Sequence, residues 1–318
     1  MLSRVADSLY WMSRYLERAE HTARLIAVNL NLMLEQAPRS LPQRWNRLLA
    51  SLQTEPPNGP LDAYHVTHHL TFNPANKNSV VASIASAREN ARQIRECIST
   101  EMWEQLNRLY LEVKRSSIES IWSAQPHEFF ASIREGAHLF RGITHELMNH
   151  NEGWQFIRLG QYLERAGATA TLLDVYFQEY QRTHAGGGAT EPFDWVGLLR
   201  SCTALESYCK VHTADLRPAW VANFLLLNPE LPRSIHFAAA EVQGALEAIT
   251  EATQTRRSNR AERLAGKLKA YLGFGQIDEI MASGLQAYLE EVRRHCVLIH
   301  TAVNHSYITY PIEAALAS

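Results

Sequence analysis

Two Glu-Arg pairs set in one five-residue frame are the residues of this chain best suited to chemistry. Tyr15-Leu16-Glu17-Arg18-Ala19 recurs as Tyr162-Leu163-Glu164-Arg165-Ala166. Clustered guanidinium groups suit a carboxylate or phosphate, which they grip through two parallel N–H groups. On that ground Arg14, Arg18, His21, Arg24 and Arg165 are candidate substrate-binding residues. Glu17 and Glu164 suit an amine, or general-base catalysis if burial raises their pKa. They are the candidate catalytic pair.

Three readings of these residues stay open. On a helical wheel Arg14, Glu17, His21 and Arg24 share one face, so they could be solvated i,i+4 pairs worth a few tenths of a kcal/mol each. Solvated pairs have little reason to occur in both frames. A Glu and Arg paired between the two halves of the chain do have one, which favours a buried structural network. A ligand or catalytic site is the third reading. His21 and Arg24 have no counterpart in the second frame, where Ala168 and Thr171 stand. A single off-axis site on a symmetric scaffold would carry such unshared residues.

A second charged set is Ala87-Arg88-Glu89-Asn90-Ala91-Arg92 with Arg95. Arg88 and Arg92 are further substrate-binding candidates, because the comparable stretch Glu241–Leu246 contains no arginine. A solvated helix face is the plainer reading of this set. No metal is expected. A dimetal bundle needs Glu-x-x-His pairs on matched helices, and His65, His68, His69, His145 and His150 have no such carboxylate partners in sequence. No phosphate-binding glycine loop and no nucleophile elbow is present, and no cofactor is expected.

The elements that must position these residues read as helices. Segment 14–26 matches segment 161–173 at eight of thirteen positions. Further echoes are Trp45–Leu49 with Trp195–Leu199, and Leu70–Pro74 with Leu225–Pro229. Self-similarity in one chain order implies an internally duplicated helical bundle with pseudo-two-fold related halves, 1–148 and 149–318. Residues 2–35 predict one long helix, with a seam of Leu2, Val5, Leu9, Met12, Leu16, Ala19, Ala23, Ile26, Leu30 and Met33, ended by Pro38 and Pro42. Its counterpart spans 154–180, and Gly186–Gly188 reads as a linker. Other helices are expected at 42–52, 61–71, 79–113, 126–148, 193–213, 216–227, 233–254, 260–272 and 276–303, with Ser79 and Ser234 as N-caps. No stretch alternates as a strand does, so the fold class is all-α.

Hydrophobic content of 46% and charged content of 20% fit a folded globular chain. A formal net charge of −2 provides no field to recruit nucleic acid or an anionic membrane. The local basic run Arg256–Arg260 reads as a solvated helix end. No segment approaches the roughly 18 apolar residues of a membrane span, and no signal peptide is seen. Four cysteines without a metal or disulfide spacing read as buried free thiols, with Cys202 and Cys209 on one helix face. A cytoplasmic location is expected.

The opening Met1–Arg24, the Ala87–Arg92 segment, Met102-Trp103 with Leu106-Asn107, and Phe156–Ala166 resemble the bacterial alpha-E family, a domain of unknown function. The resemblance covers nearly the whole chain and departs mainly at Gly167 and Ala168. It implies an all-helical protein whose genes accompany a circularly permuted ATP-grasp ligase and a transglutaminase-like peptidase. That company implies a role with a peptide or amide-linked substrate. Three functions follow as expectations. One is an auxiliary subunit that docks on the ATP-grasp protein and presents a peptide or amino-acid substrate. The second is an enzyme using Glu17 and Glu164. The third is a pure scaffold with both glutamates fully paired.

Overall fold

The computed structural model describes residues 1–35, 41–185, 192–213, 215–253 and 260–308, and among them all regular structure is helical. The first half contains α1 (Ser3–Glu35), α2 (Leu41–Ser51), α3 (Ala63–Thr71), α4 (Val80–Gln93), α5 (Thr100–Arg115), α6 (Ile118–Ser123) and α7 (Pro126–Leu147). The second contains α8 (Glu152–Ala185), α9 (Pro192–Ser201), α10 (Leu205–His212), α11 (Pro218–Leu227), α12 (Ile235–Thr253), α13 (Arg260–Gly273), α14 (Ile277–Ser283) and α15 (Leu285–Val303).

The two long helices, α1 and α8, lie against each other at the centre. In the first half α1 packs on α4 and α7, α4 on α5, and α5 on α7. In the second α8 packs on α12 and α15, α12 on α13, and α13 on α15. The apolar seam of α1 is buried from Val5 through Leu30, while Leu2 is exposed. One continuous hydrophobic core runs through both halves.

Small residues set how closely α1 and α8 approach. A Cβ on Gly160 of α8 would overlap the Tyr10 carbonyl oxygen and the Ser13 Oγ of α1. Gly160 and Ser13 each stand two residues before the Tyr of the shared frame, so the helices cross just ahead of their Glu-Arg pairs. The ends of α2 and α9 are also alike. Each is closed by a left-handed residue, Gln53 (φ 50°) and Thr203 (φ 49°). The Thr54 N–H then donates to the Leu49 carbonyl at 3.0 Å, and the Ala204 N–H to the Leu199 carbonyl at 2.8 Å.

Ser79 and Ser234 cap α4 and α12, accepting from the backbone N–H groups of Ala82 at 3.3 Å and Phe237 at 3.0 Å. Three expected helices are divided. The 79–113 helix stops at Ile94, passes through a 3-10 turn at Arg95–Cys97, and restarts where Ser99 accepts from the Met102 N–H at 3.2 Å. The 193–213 helix breaks at 202–204, so buried Cys202 lies in the turn after α9 while half-buried Cys209 sits in α10, and the two share no helix face; Cys97 is exposed, not buried. The 276–303 helix breaks at Gly284, whose φ of 107° a glycine tolerates. The short α6, opened by a capping box at Ser117 and Ser120, was not anticipated. Pro42 lies in the first turn of α2, where proline is tolerated, not at the end of α1. Pro38, Gly186–Gly188 and residues 256–259 lie outside the described residues. No described helix is long and apolar enough to cross a membrane.

Candidate functional site

Helix α1 is enclosed by α4, α7, α8 and α9, and every residue from Ala19 to Leu30 is buried. The buried charged side chains Glu17, Glu20 and Arg24 therefore have no solvated face and must be paired. Glu17 accepts from Arg165 of α8 at 2.7 and 3.0 Å, and from Arg141 of α7 at 2.5 Å. Arg233, in the turn before α12, stands 3.7 Å away. Glu164 accepts from Arg14 at 2.8 Å and from Arg18 at 2.7 Å. The exchange is reciprocal. The Arg of each Tyr-Leu-Glu-Arg-Ala frame bonds the Glu of the other.

The two carboxylates are ionised. Burial alone would raise the Glu17 pKa, but Arg141, Arg165 and Arg233 outweigh it and hold the pKa well below the usual carboxylate range. Burial opposes Arg14 and Arg18 at Glu164 in the same way, and the pKa is again lowered. A general base working near neutral pH needs the opposite shift. The raised pKa on which general-base work by Glu17 and Glu164 would depend is therefore absent, and both stand as paired anions.

Beside Glu17, Glu20 completes a buried cluster. Its carboxylate accepts from Arg24, one turn on, and from Arg233 at 2.6 Å. His138 of α7 stands 3.7 Å away. Burial first, then the neighbouring Arg233 and Arg134, lowers the Arg24 pKa to about 8. Four guanidinium groups (Arg24, Arg141, Arg165, Arg233) here surround two carboxylates. Such an interior favours anions.

On the other side of the α1–α8 crossing lies a cavity of about 370 Å³. Arg14, Arg18 and Glu164 form its floor, with His21, Gly167 and Thr171 beside them. The turn after α2 and the α15 residues Arg293, Cys296, Val297 and His300 complete the walls. Arg14 stacks over Trp11, its guanidinium carbon 4.8 Å from the ring centroid, and donates to His300 Nδ1 at 3.0 Å. An arginine can only donate, so Nδ1 of His300 is the acceptor. Burial, then Arg14, lowers the His300 pKa to about 4, so the ring is neutral at pH 7. Arg18 spends Nε on Glu164 and one terminal nitrogen on Asn78 Oδ1 at 2.8 Å. Arg293 is held by Asp174 at 2.8 Å.

A second cavity of about 550 Å³ lies between α1, α7, α8 and α12, lined by Arg141, Trp154, Tyr162 and an Arg158–Glu241 pair at 2.8 Å. Glu17 borders the first cavity and its partner Arg141 borders the second.

The structure thus gathers Arg14, Glu17, Arg18, His21, Glu164 and Arg165 at one crossing and places Arg24 in the adjoining Glu20 cluster. It separates Arg88 and Arg92 from them. Arg88 donates to Asn107 at 2.8 Å and lies over Trp103 and Tyr110. Arg92 forms an exposed pair with Glu89. Arg141, Arg233, Arg293, Asn78 and His300 belong to the site but were absent from the sequence reading. They come from distant elements, and none belongs to a repeated motif. Among the described residues no three His, Cys, Asp or Glu side chains converge as a metal ion would require.

No solved structure matches this chain. An uncharacterized protein of Mycobacterium bovis is 24% identical over 313 residues, covering 91% of this chain and 34% of its own length. An uncharacterized protein of Mycobacterium tuberculosis gives the same identity and coverage. The chain thus spans about a third of the length of these curated relatives. Residues 1–308 match Alpha-E, described as a predicted alpha-helical domain with a conserved ER motif. This chain carries the Glu-Arg dipeptides Glu17-Arg18 and Glu164-Arg165, whose side chains interlock across α1 and α8. Over nearly its full length, this chain belongs to the Alpha-E family.

Proposed function

We propose that this chain is a helical binding subunit that holds an anionic group of a peptide or amino-acid substrate while a partner enzyme does the chemistry. The observation that carries this reading is the cavity at the α1–α8 crossing. Arg14 and Arg18 line it and share one carboxylate, Glu164, while the lining Glu17 is taken up by Arg165 and Arg141, so the lining keeps a positive bias. Neither Glu17 nor Glu164 has the raised pKa of a base, which speaks against the chain as an enzyme in its own right. The complete pairing of Glu17 supports a scaffold role for that half of the crossing.

The partner we propose is the circularly permuted ATP-grasp ligase implied by the family resemblance, with a transglutaminase-like protein as a second component. In the curated relatives the matching region is one part of a longer chain, which suits a module that works beside others. Free cysteines without a disulfide suit a reducing cytoplasm.

The test is reconstitution with that ligase and its acceptor. Glu164→Gln is expected to change the apparent KM for the acceptor and leave kcat within about threefold. A fall in kcat of about 10²–10⁴-fold, the range of a lost general base, in a variant that is folded and partner-bound would overturn the reading. Failure of the two proteins to associate would remove the subunit role.

A further inference from the structure

The shared frame makes α1 a template for what α8 lacks. Three residues after Glu17, α1 carries Glu20, whose carboxylate sits on Arg24 and Arg233. Three residues after Glu164, α8 carries Gly167, and a Cβ built there meets no atom within 4 Å. The interior of the first position is filled by the protein's own carboxylate. The second position is the open cavity.

We propose that this cavity takes the carboxylate of a small organic acid or of a peptide C-terminus, seated beside Gly167 where α8 lacks the equivalent of Glu20. The inference rests on the reading of this cavity as an anion site and names the anion.

His21 supplies an independent observation. It lines the cavity, only 7% of it is exposed, and its Nε2 has no hydrogen-bond partner among the described residues. A buried polar atom left without a partner is costly. Burial, with Arg233 next, lowers the His21 pKa to about 4, so the ring is neutral at pH 7 and Nε2 can serve a ligand without bringing charge. The second terminal nitrogen of Arg18 makes no hydrogen bond among the described residues. Of the charged groups lining the cavity, Glu17 is matched by Arg141 and Arg165 and Arg293 by Asp174, whereas Arg14 and Arg18 share Glu164, leaving one cation in excess. A carboxylate carries the single charge that balances it, whereas phosphate carries about 1.5–2 at neutral pH. Leu52, Leu70 and the exposed Val297 form an apolar side of the opening for the aliphatic remainder of the ligand.

The experiment is calorimetric titration of the full chain with four probes: N-acetyl-dialanine, its C-terminal amide, butyrate and inorganic phosphate. Wild type is expected to bind at least one carboxylate probe, with the amide at least tenfold weaker than the acid. Preference for N-acetyl-dialanine identifies a peptide C-terminus, and preference for butyrate identifies a free acid. Gly167→Glu, which returns the carboxylate that α1 already has, is expected to weaken binding at least tenfold. Arg18→Gln is expected to weaken it by the same order, and it serves alone if Gly167→Glu does not fold. Equal binding of acid and amide, or carboxylate binding untouched by both variants, overturns the inference. Phosphate binding that Gly167→Glu abolishes, without carboxylate binding, overturns the carboxylate assignment and leaves the anion site standing. No binding of any probe overturns both.

Discussion

Glu17→Gln is expected to cost about 3–5 kcal/mol of stability, the penalty for stranding buried cations by removing their anion. Glu17 is 1% exposed and answers Arg165 and Arg141 directly, with Arg233 close by. The amide keeps the shape, offers one acceptor in place of two, and carries no charge. Glu164→Gln makes the comparison informative. Its partners Arg14 and Arg18 face a cavity that admits water, so the loss there is expected nearer the 1.5–3 kcal/mol of a charged hydrogen bond. Urea melts at pH 7 measure both. A Glu17→Gln loss below about 1 kcal/mol would show that the cluster is not held by this anion. The pH dependence has a defined sign. The Glu17 pKa is depressed in the fold, so its contribution is present above its unfolded value near 4.5 and is lost as the pH falls through the folded value. Wild type is therefore expected to lose stability steadily below about pH 4.5, and Glu17→Gln to show a shallower decline there.

This asymmetry explains how much could be read from the residues alone. The repeated Tyr-Leu-Glu-Arg-Ala frame pointed to pairing between the halves, and Arg18–Glu164 with Arg165–Glu17 are such pairs. A helical wheel assigns Arg14, Glu17, His21 and Arg24 one face, which is sound local geometry. It says nothing of whether water reaches that face, and α7, α9 and the α2 turn close over it. Arg141 and Arg233 lie more than a hundred residues from Glu17, and only tertiary packing brings them near. Arg88 lies apart from the crossing, against Trp103 and Tyr110 of α5. Helix type was legible from periodicity, whereas the breaks at 94–99, 202–204 and 284 were not. Each break depends on a cap, a left-handed residue or a glycine that a long apolar pattern conceals.

Gly160→Ala is expected to destabilise the chain by about 1–3 kcal/mol, the usual cost of overpacking. The sign is opposite to what helix propensity gives, since alanine in a helix interior is normally better than glycine by about 0.5–1 kcal/mol. The added methyl group would meet the Tyr10 carbonyl oxygen, a backbone atom that cannot turn aside, as well as the Ser13 hydroxyl. Relief requires α1 and α8 to separate. Separation stretches Arg165–Glu17 and Arg18–Glu164, both at 2.7 Å, together. The helix crossing and the ion pairs therefore fail as one unit. Ser13→Gly in the same chain is expected to recover part of the loss, because it removes the hydroxyl but leaves the Tyr10 carbonyl in place. Gly142→Ala and Gly167→Ala are the controls. A Cβ at either site meets nothing within 4 Å, so both should melt slightly above wild type. A melting temperature that rises for Gly160→Ala as it does for the controls would mean that the two central helices are not in close contact. The reciprocal Glu-Arg exchange would then need another account.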